Sequence, residues 1–147
     1  MGSSKIKEFL DKNKEVASDN AAAEVQKKKG KLTARERLNY LLDKDSLVEL
    51  DAFAEHNSRE LEAKKKPGDG VIIGYGTINK RPVYVYAQDF SFMGGSMGEM
   101  HNKKIAHVIE LALKTGCPCI GLLDSGGARI QEGVAALDAG GKIFQLN

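Results

Sequence analysis

Asp124–Ser125–Gly126–Gly127–Ala128–Arg129–Ile130–Gln131–Glu132–Gly133 is the richest segment for chemistry in this sequence. An apolar run ends, two glycines follow, and a helical pattern resumes near Ala128. Glycine admits backbone geometries that other residues resist, and such a turn leaves N–H groups unpaired at a strand's C-terminal end. Those donors suit a phosphate, a carboxylate or a developing oxyanion. Tight packing of helix on strand explains a glycine pair equally well. A second segment, Gln88–Asp89–Phe90–Ser91–Phe92–Met93–Gly94–Gly95–Ser96, follows the same logic. Two glycine turns at equivalent strand ends can line one crevice, although Phe90, Phe92 and Met93 also suit an ordinary core.

Side-chain catalysts are thin by comparison. His56, His101 and His107 have no metal spacing, since His101 and His107 stand six apart on one expected helix. Asp124–Ser125 has no histidine placed nearby to complete a triad. Glu110 and Glu132 could do acid–base work, but carboxylates on helices are usually solvated. Few side-chain catalysts beside several backbone donors fit chemistry that stabilises an enolate.

These turns need elements to hold them. Residues 1–32 read as a polar, helix-prone arm with a short stripe of Ile6, Phe9 and Leu10. Its Lys27–Lys28–Lys29 run is either a solvated charge run or a basic anion site. Thr33 and Glu36 have capping-box spacing, with Leu38, Leu41 and Leu42 on one face of the helix that follows. Residues 46–50 suit a short strand and residues 55–70 an exposed loop. Val71–Ile78 and Pro82–Asp89 suit a hairpin joined by Asn79–Lys80–Arg81. Ser96 and Glu99 form a second capping box, opening an amphipathic helix over residues 97–115 that buries Ile105, Val108, Ile109, Ala112 and Leu113. Gly116 suits its left-handed end, and Cys119–Asp124 a buried strand. Strand, strand, helix, strand, helix implies an α/β fold.

Composition bounds the function class. The 147 residues carry 22 Lys+Arg against 20 Asp+Glu, a formal charge of +2. That balance gives no reason to expect nucleic-acid or membrane-surface binding. No apolar run approaches the roughly 20 residues needed to span a bilayer, so no membrane insertion is expected. The N-terminus lacks a secretory core, and the expectation is a soluble, cytoplasmic protein. Cys117 and Cys119, one residue apart, suit neither a disulfide framework nor paired zinc spacing.

The sequence resembles the N-terminal part of the carboxyltransferase β subunit of biotin-dependent acyl-CoA carboxylases, the propionyl-CoA carboxylase type. Carboxyltransferase subunits of methylmalonyl-CoA decarboxylases are close relatives of that family. The resemblance rests on Gly30–Lys31–Leu32–Thr33–Ala34–Arg35–Glu36–Arg37–Leu38, Gly68–Asp69–Gly70–Val71 with Gly74–Tyr75–Gly76, and Val83–Tyr84–Val85. Gln88–Asp89–Phe90, Gly94–Gly95–Ser96 and Asp124 through Gly133 complete it. These motifs run in the family's order from about Gly30 to Leu137. Ala139–Gly140–Gly141 departs from it, since the family more often has an aromatic there.

The resemblance implies a crotonase-like fold, β–β–α repeats in a superhelix, here partial and preceded by the helical arm of residues 1–32. Residues 33–147 would be the first part of a CoA carboxyltransferase domain. It implies carboxyl transfer between carboxybiotin, carried on a partner domain, and the α-carbon of a short acyl-CoA. Backbone N–H groups of Gly126, Gly127 and Ala128 would hold the thioester enolate. Phe92, Gly94, Gly95 and Ser96 would shape the acyl-CoA pocket, and Ser125, Arg129 and Gln131 would touch substrate. Biotin carboxyl carrier and biotin carboxylase subunits are the implied partners, in a hexamer. Family chains are several times longer, so the expectation is a fragment inactive alone. The alternative is a non-catalytic CoA-binding or subunit-interaction module.

Overall fold

The computed structural model describes residues 2–17 and 21–147. Helices α1 (Gly2–Ala17) and α2 (Ala21–Lys28) form the arm, and α3 (Ala34–Leu41) leads into strand β1 (Val48–Leu50). Strands β2 (Val71–Ile78) and β3 (Arg81–Gln88) form the hairpin. Helix α4 (Glu99–Thr115), strand β4 (Cys119–Leu122) and helix α5 (Val134–Leu146) complete the chain. The sheet order is β1-β2-β3-β4, antiparallel except for the β3–β4 pair. Helix α4 is therefore the crossover that makes β4 parallel to β3.

Alternation along β3 separates two cores. Val83, Val85 and Ala87 face α3 and pack with Ala34, Leu38 and Leu42. Tyr84 and Tyr86 face the other way, onto a cluster of Val71, Ile73, Ile105, Val108 and Ile109. Gln88 shares the parity of Tyr84 and Tyr86, which brings its amide to α4. Burial of the α4 stripe follows the expected period, except that Leu113 is exposed.

The first capping box is present: Glu36 N–H donates to Thr33 Oγ1 and Thr33 N–H donates to Glu36 Oε2. Gly116 ends α4 in the left-handed conformation, φ 67°. The hairpin turn is tighter than expected: Asn79 and Lys80 alone make it, with φ of 50° and 65°, and Arg81 already pairs with Ile78. Such mirror-image turns match strand twist. Asp43 secures this one, its carboxylate accepting from the N–H groups of Asn79 and Lys80 and from the Thr77 hydroxyl.

Four expectations need correction. Ser96 does not cap α4; the helix starts at Glu99, and the Glu99 N–H donates to the Glu132 carboxylate, 33 residues later in sequence. No helix begins at Ala128; residues 128 and 129 are extended, a 3-10 turn covers Ile130–Glu132, and α5 starts at Val134. Strand β4 stops at Leu122 because the Asp124 N–H goes to a side chain instead of a ladder partner. Residues 55–70 are not simply exposed, for His56 and Asp69 are fully buried and Arg59–Lys64 form a 3-10 helix.

Candidate active site

The two glycine turns meet. Gly126 N–H donates to Gly94 O at 2.9 Å. Beyond that contact, Met97 N–H donates to Gly127 O at 2.8 Å and Arg129 N–H donates to Met97 O at 3.0 Å, a parallel bridge between Met97 and Ala128. The first turn is packed: Phe92 and Gly95 are buried, and Phe92 lies beneath the Arg129 guanidinium at 5.5 Å. The second turn is open, with Ser125, Gly126 and Ala128 exposed. Beside it lies a cleft of about 580 Å³ bordered by Tyr86, Met97, Ile105, Ser125, Gly127 and Phe144. A void of about 50 Å³ under the arm, near Ala23 and Phe92, is too small for a thioester cofactor.

The donors expected at the open turn are unequal. The Gly126 N–H is used by Gly94. The Gly127 N–H is held by its neighbour's hydroxyl, Ser125 Oγ, at 3.0 Å. Among the described residues, the Ala128 N–H has no hydrogen-bond partner. Gln131 is exposed on the following 3-10 turn.

Arg129, expected to touch substrate, is fully buried. Its guanidinium donates to Asp69 Oδ1 at 2.7 Å, Glu132 Oε1 at 2.8 Å, Ser96 Oγ at 3.2 Å and Ser96 O at 2.8 Å. Ser96 is thus a partner of Arg129 and no longer free to face a ligand through that hydroxyl lone pair. Glu132, expected to be solvated, is closed in by Arg129 and the α4 N-terminus. An anion at the first turn of a helix complements the helix dipole.

Buried ionisable groups brace the turn from below. Burial pushes the Asp69 carboxyl up, against the pull of Arg129. Burial lowers His101 to about 3, so its ring is neutral. Lys104, lowered by burial to about 8, donates to the carbonyls of Gly68 and Val71 and holds the segment around Asp69. From the other side, Arg37 donates to Gln88 O and Leu122 O at the ends of β3 and β4, and Lys31 pairs with Asp124 at 2.8 Å. Asp69, Gln88 and His101 were not singled out as site residues by their types. The signals were that Gln88 opens the second glycine segment and that Asp69 and Gln88 lie within the quoted motifs.

Residues 25–147 match the family model described as a carboxyl transferase domain. This chain belongs to the carboxyl transferase domain family. It is 52% identical over 133 residues to the propionyl-CoA carboxylase beta chain of Saccharopolyspora erythraea, covering 89% of this chain and 24% of that protein. It is 56% identical over 126 residues to the methylmalonyl-CoA decarboxylase subunit alpha of Veillonella parvula, covering 84% of this chain and 25% of that protein. A transcarboxylase 12S structure, a hexamer with methylmalonyl-coenzyme A and methylmalonic acid bound, superposes with a TM-score of 0.94 at 40% identity. That match covers 99% of this chain and 29% of the transcarboxylase chain. The chain thus spans about a quarter of the length of the curated relatives it matches. Its fold is the crotonase-like α/β fold of carboxyltransferase domains, and no helix among the described residues is long and apolar enough to cross a membrane.

Proposed function

We propose that this carboxyl transferase domain segment supplies the acyl-CoA side of a biotin-dependent carboxyltransferase, working on a short acyl-CoA such as propionyl-CoA. The observation that carries this reading is the locked pair of glycine turns, which leaves the Ala128 N–H unpartnered on an exposed turn beside an open cleft. A fixed donor is worth most where charge develops, and the thioester oxygen becomes negative as the α-proton leaves. The Gly127 N–H is a second candidate donor, since a change of the Ser125 side-chain rotamer would move Oγ away and release it.

The residues present fit a reaction whose base comes from outside the segment. Glu132 is enclosed by Arg129, Asp124 is paired with Lys31, and His101 is buried. Carboxybiotin on a partner carrier would supply the CO2, and the biotin nitrogen freed by its loss would accept the α-proton. The chain's own part is to orient the thioester, to hold the enolate oxygen and to line the cleft with Met97, Ile105 and Phe144. Carrier and biotin carboxylase subunits are the partners this reading requires, and a hexameric assembly like that of the transcarboxylase relative accords with it.

The test is a hybrid in which these residues replace the matching segment of the Saccharopolyspora erythraea propionyl-CoA carboxylase beta chain. Transfer of carboxyl from carboxybiotin to propionyl-CoA is the expected result. An assembled hybrid that binds acyl-CoA without transfer would favour the alternative of a CoA-binding module.

A further inference from the structure

Both ends of the Asp124–Arg129 turn trace back to one residue. At the far end, Arg129 Nη1 donates to Asp69 Oδ1 at 2.7 Å. At the near end, the Asp124 N–H donates to Gln88 Oε1 at 3.0 Å. Gln88 Nε2 lies 3.3 Å from His101 Nε2, and His101 Nδ1 lies 3.1 Å from the Asp69 carbonyl oxygen. The His101 backbone N–H donates to Asp69 Oδ2 at 3.0 Å. Asp69, His101 and Arg129 are fully buried, and Gln88 is 2% exposed.

The chemistry of these atoms gives the relay a direction. A carbonyl oxygen only accepts, so His101 carries its proton on Nδ1. Nε2 then offers a lone pair and accepts from the Gln88 amide nitrogen. That bond turns the Gln88 oxygen toward the Asp124 N–H. The opposite tautomer would set a lone pair against the Asp69 carbonyl and turn the Gln88 NH2 onto the Asp124 N–H. Burial keeps the ring neutral, as this arrangement requires. Asp69 itself stands at φ 45°, between Gly68 at 91° and Gly70 at 74°. A non-glycine residue in that region persists only where its surroundings over-determine it. Here it is held by Arg129 and by both nitrogen donors of His101.

We propose that Asp69 is the positioning residue of the Asp124–Arg129 turn, acting through Arg129 at one end and through His101 and Gln88 at the other. It thereby sets the Ala128 N–H that is to meet the thioester oxygen, and this last clause alone rests on the carboxyl-transfer reading. Donors of this kind act only when held close to the productive geometry, and the relay does so without touching the cleft through Asp69 or His101.

The test starts with the unaltered chain, labelled with 15N. The ring nitrogens of His101 should report a neutral imidazole protonated at Nδ1. Gln88→Met conserves volume but removes both amide contacts; it should speed hydrogen exchange at the Asp124 amide by about tenfold or more, leaving the Ile73 amide unchanged. In the hybrid, Gln88→Met should lower kcat roughly tenfold with KM for propionyl-CoA within about twofold. A His101 ring protonated at Nε2, or an Asp124 amide that exchanges at its original rate in Gln88→Met, would overturn the proposal. Should Gln88→Met fail to fold, the tautomer in the unaltered chain decides. Should the ring and exchange results hold while the hybrid transfers nothing, the relay stands and the carboxyl-transfer reading falls.

Discussion

A Cβ added at Gly95 would run into the carbonyl oxygen of Asp124, whereas one added at Gly127 would meet nothing within 4 Å among the described residues. Both glycines lie at positive φ, 64° and 108°. Gly95 belongs to the turn of Met93–Gly95, which is pressed against the strand end after β4. Gly127 belongs to the turn that borders the cleft. One turn is therefore glycine because another backbone touches it. The other is glycine for its own backbone conformation, with room beside it for a ligand. Pattern alone made the two look equivalent, and packing separates them into a support and a candidate site.

The largest expected effect comes from breaking what ties the turns together. Arg129→Ala leaves the Asp69 and Glu132 carboxylates buried and unpaired, and should cost about 3–5 kcal/mol of stability in urea unfolding. A loss confined to substrate KM would mean that Arg129 faces solvent and ligand after all. Gly95→Ala should destabilise by roughly 2–4 kcal/mol, from backbone strain and overpacking together. Gly127→Ala should cost only about 1–2 kcal/mol, from strain alone. Equal losses at the two positions would erase the distinction between them.

These contrasts also show why parts of the molecule were legible in the sequence and parts were not. Thr33 and Glu36 stand three apart and bond each other, so spacing was enough. The same spacing at Ser96 and Glu99 misled, because Arg129, 33 residues away, occupies the Ser96 hydroxyl and Glu132 occupies the helix end. The α4 stripe was legible because burial on one helix face is local and periodic. Asp69 and His56 were not, since a polar stretch rich in lysine and glycine reads as loop until a partner 60 residues away, Arg129, buries one of its carboxylates. The helix expected at Ala128 failed for a related reason: Ala128 pairs with Met97 across the two turns. Local patterns found the elements and the two turns. The ionic and hydrogen-bonded anchors between distant segments left only motif-level traces.

A pH-dependent effect tests the buried histidine beneath the open turn. The folded chain holds His101 at about 3, below its ordinary value of 6.5. The unfolded chain therefore takes up the proton first as pH falls. The contribution is fully present above pH 6.5 and is lost progressively toward pH 3, with a limiting slope of about 1.4 kcal/mol per pH unit. His101→Gln should flatten this part of the stability profile. An unchanged slope in a folded variant would place the acid sensitivity elsewhere.

The most direct test of the central claim is the turnover of Gly127→Val in the hybrid carboxylase beta chain, with propionyl-CoA as acceptor. A Cβ at this position meets nothing within 4 Å among the described residues, so the hybrid should assemble, while the strained turn should no longer hold its donor in place. The expected result is a fall in kcat of roughly a hundredfold or more with little change in KM, because the charge being stabilised is absent from the ground state. Near-normal kcat in an assembled Gly127→Val hybrid would contradict it and reduce the open turn to packing.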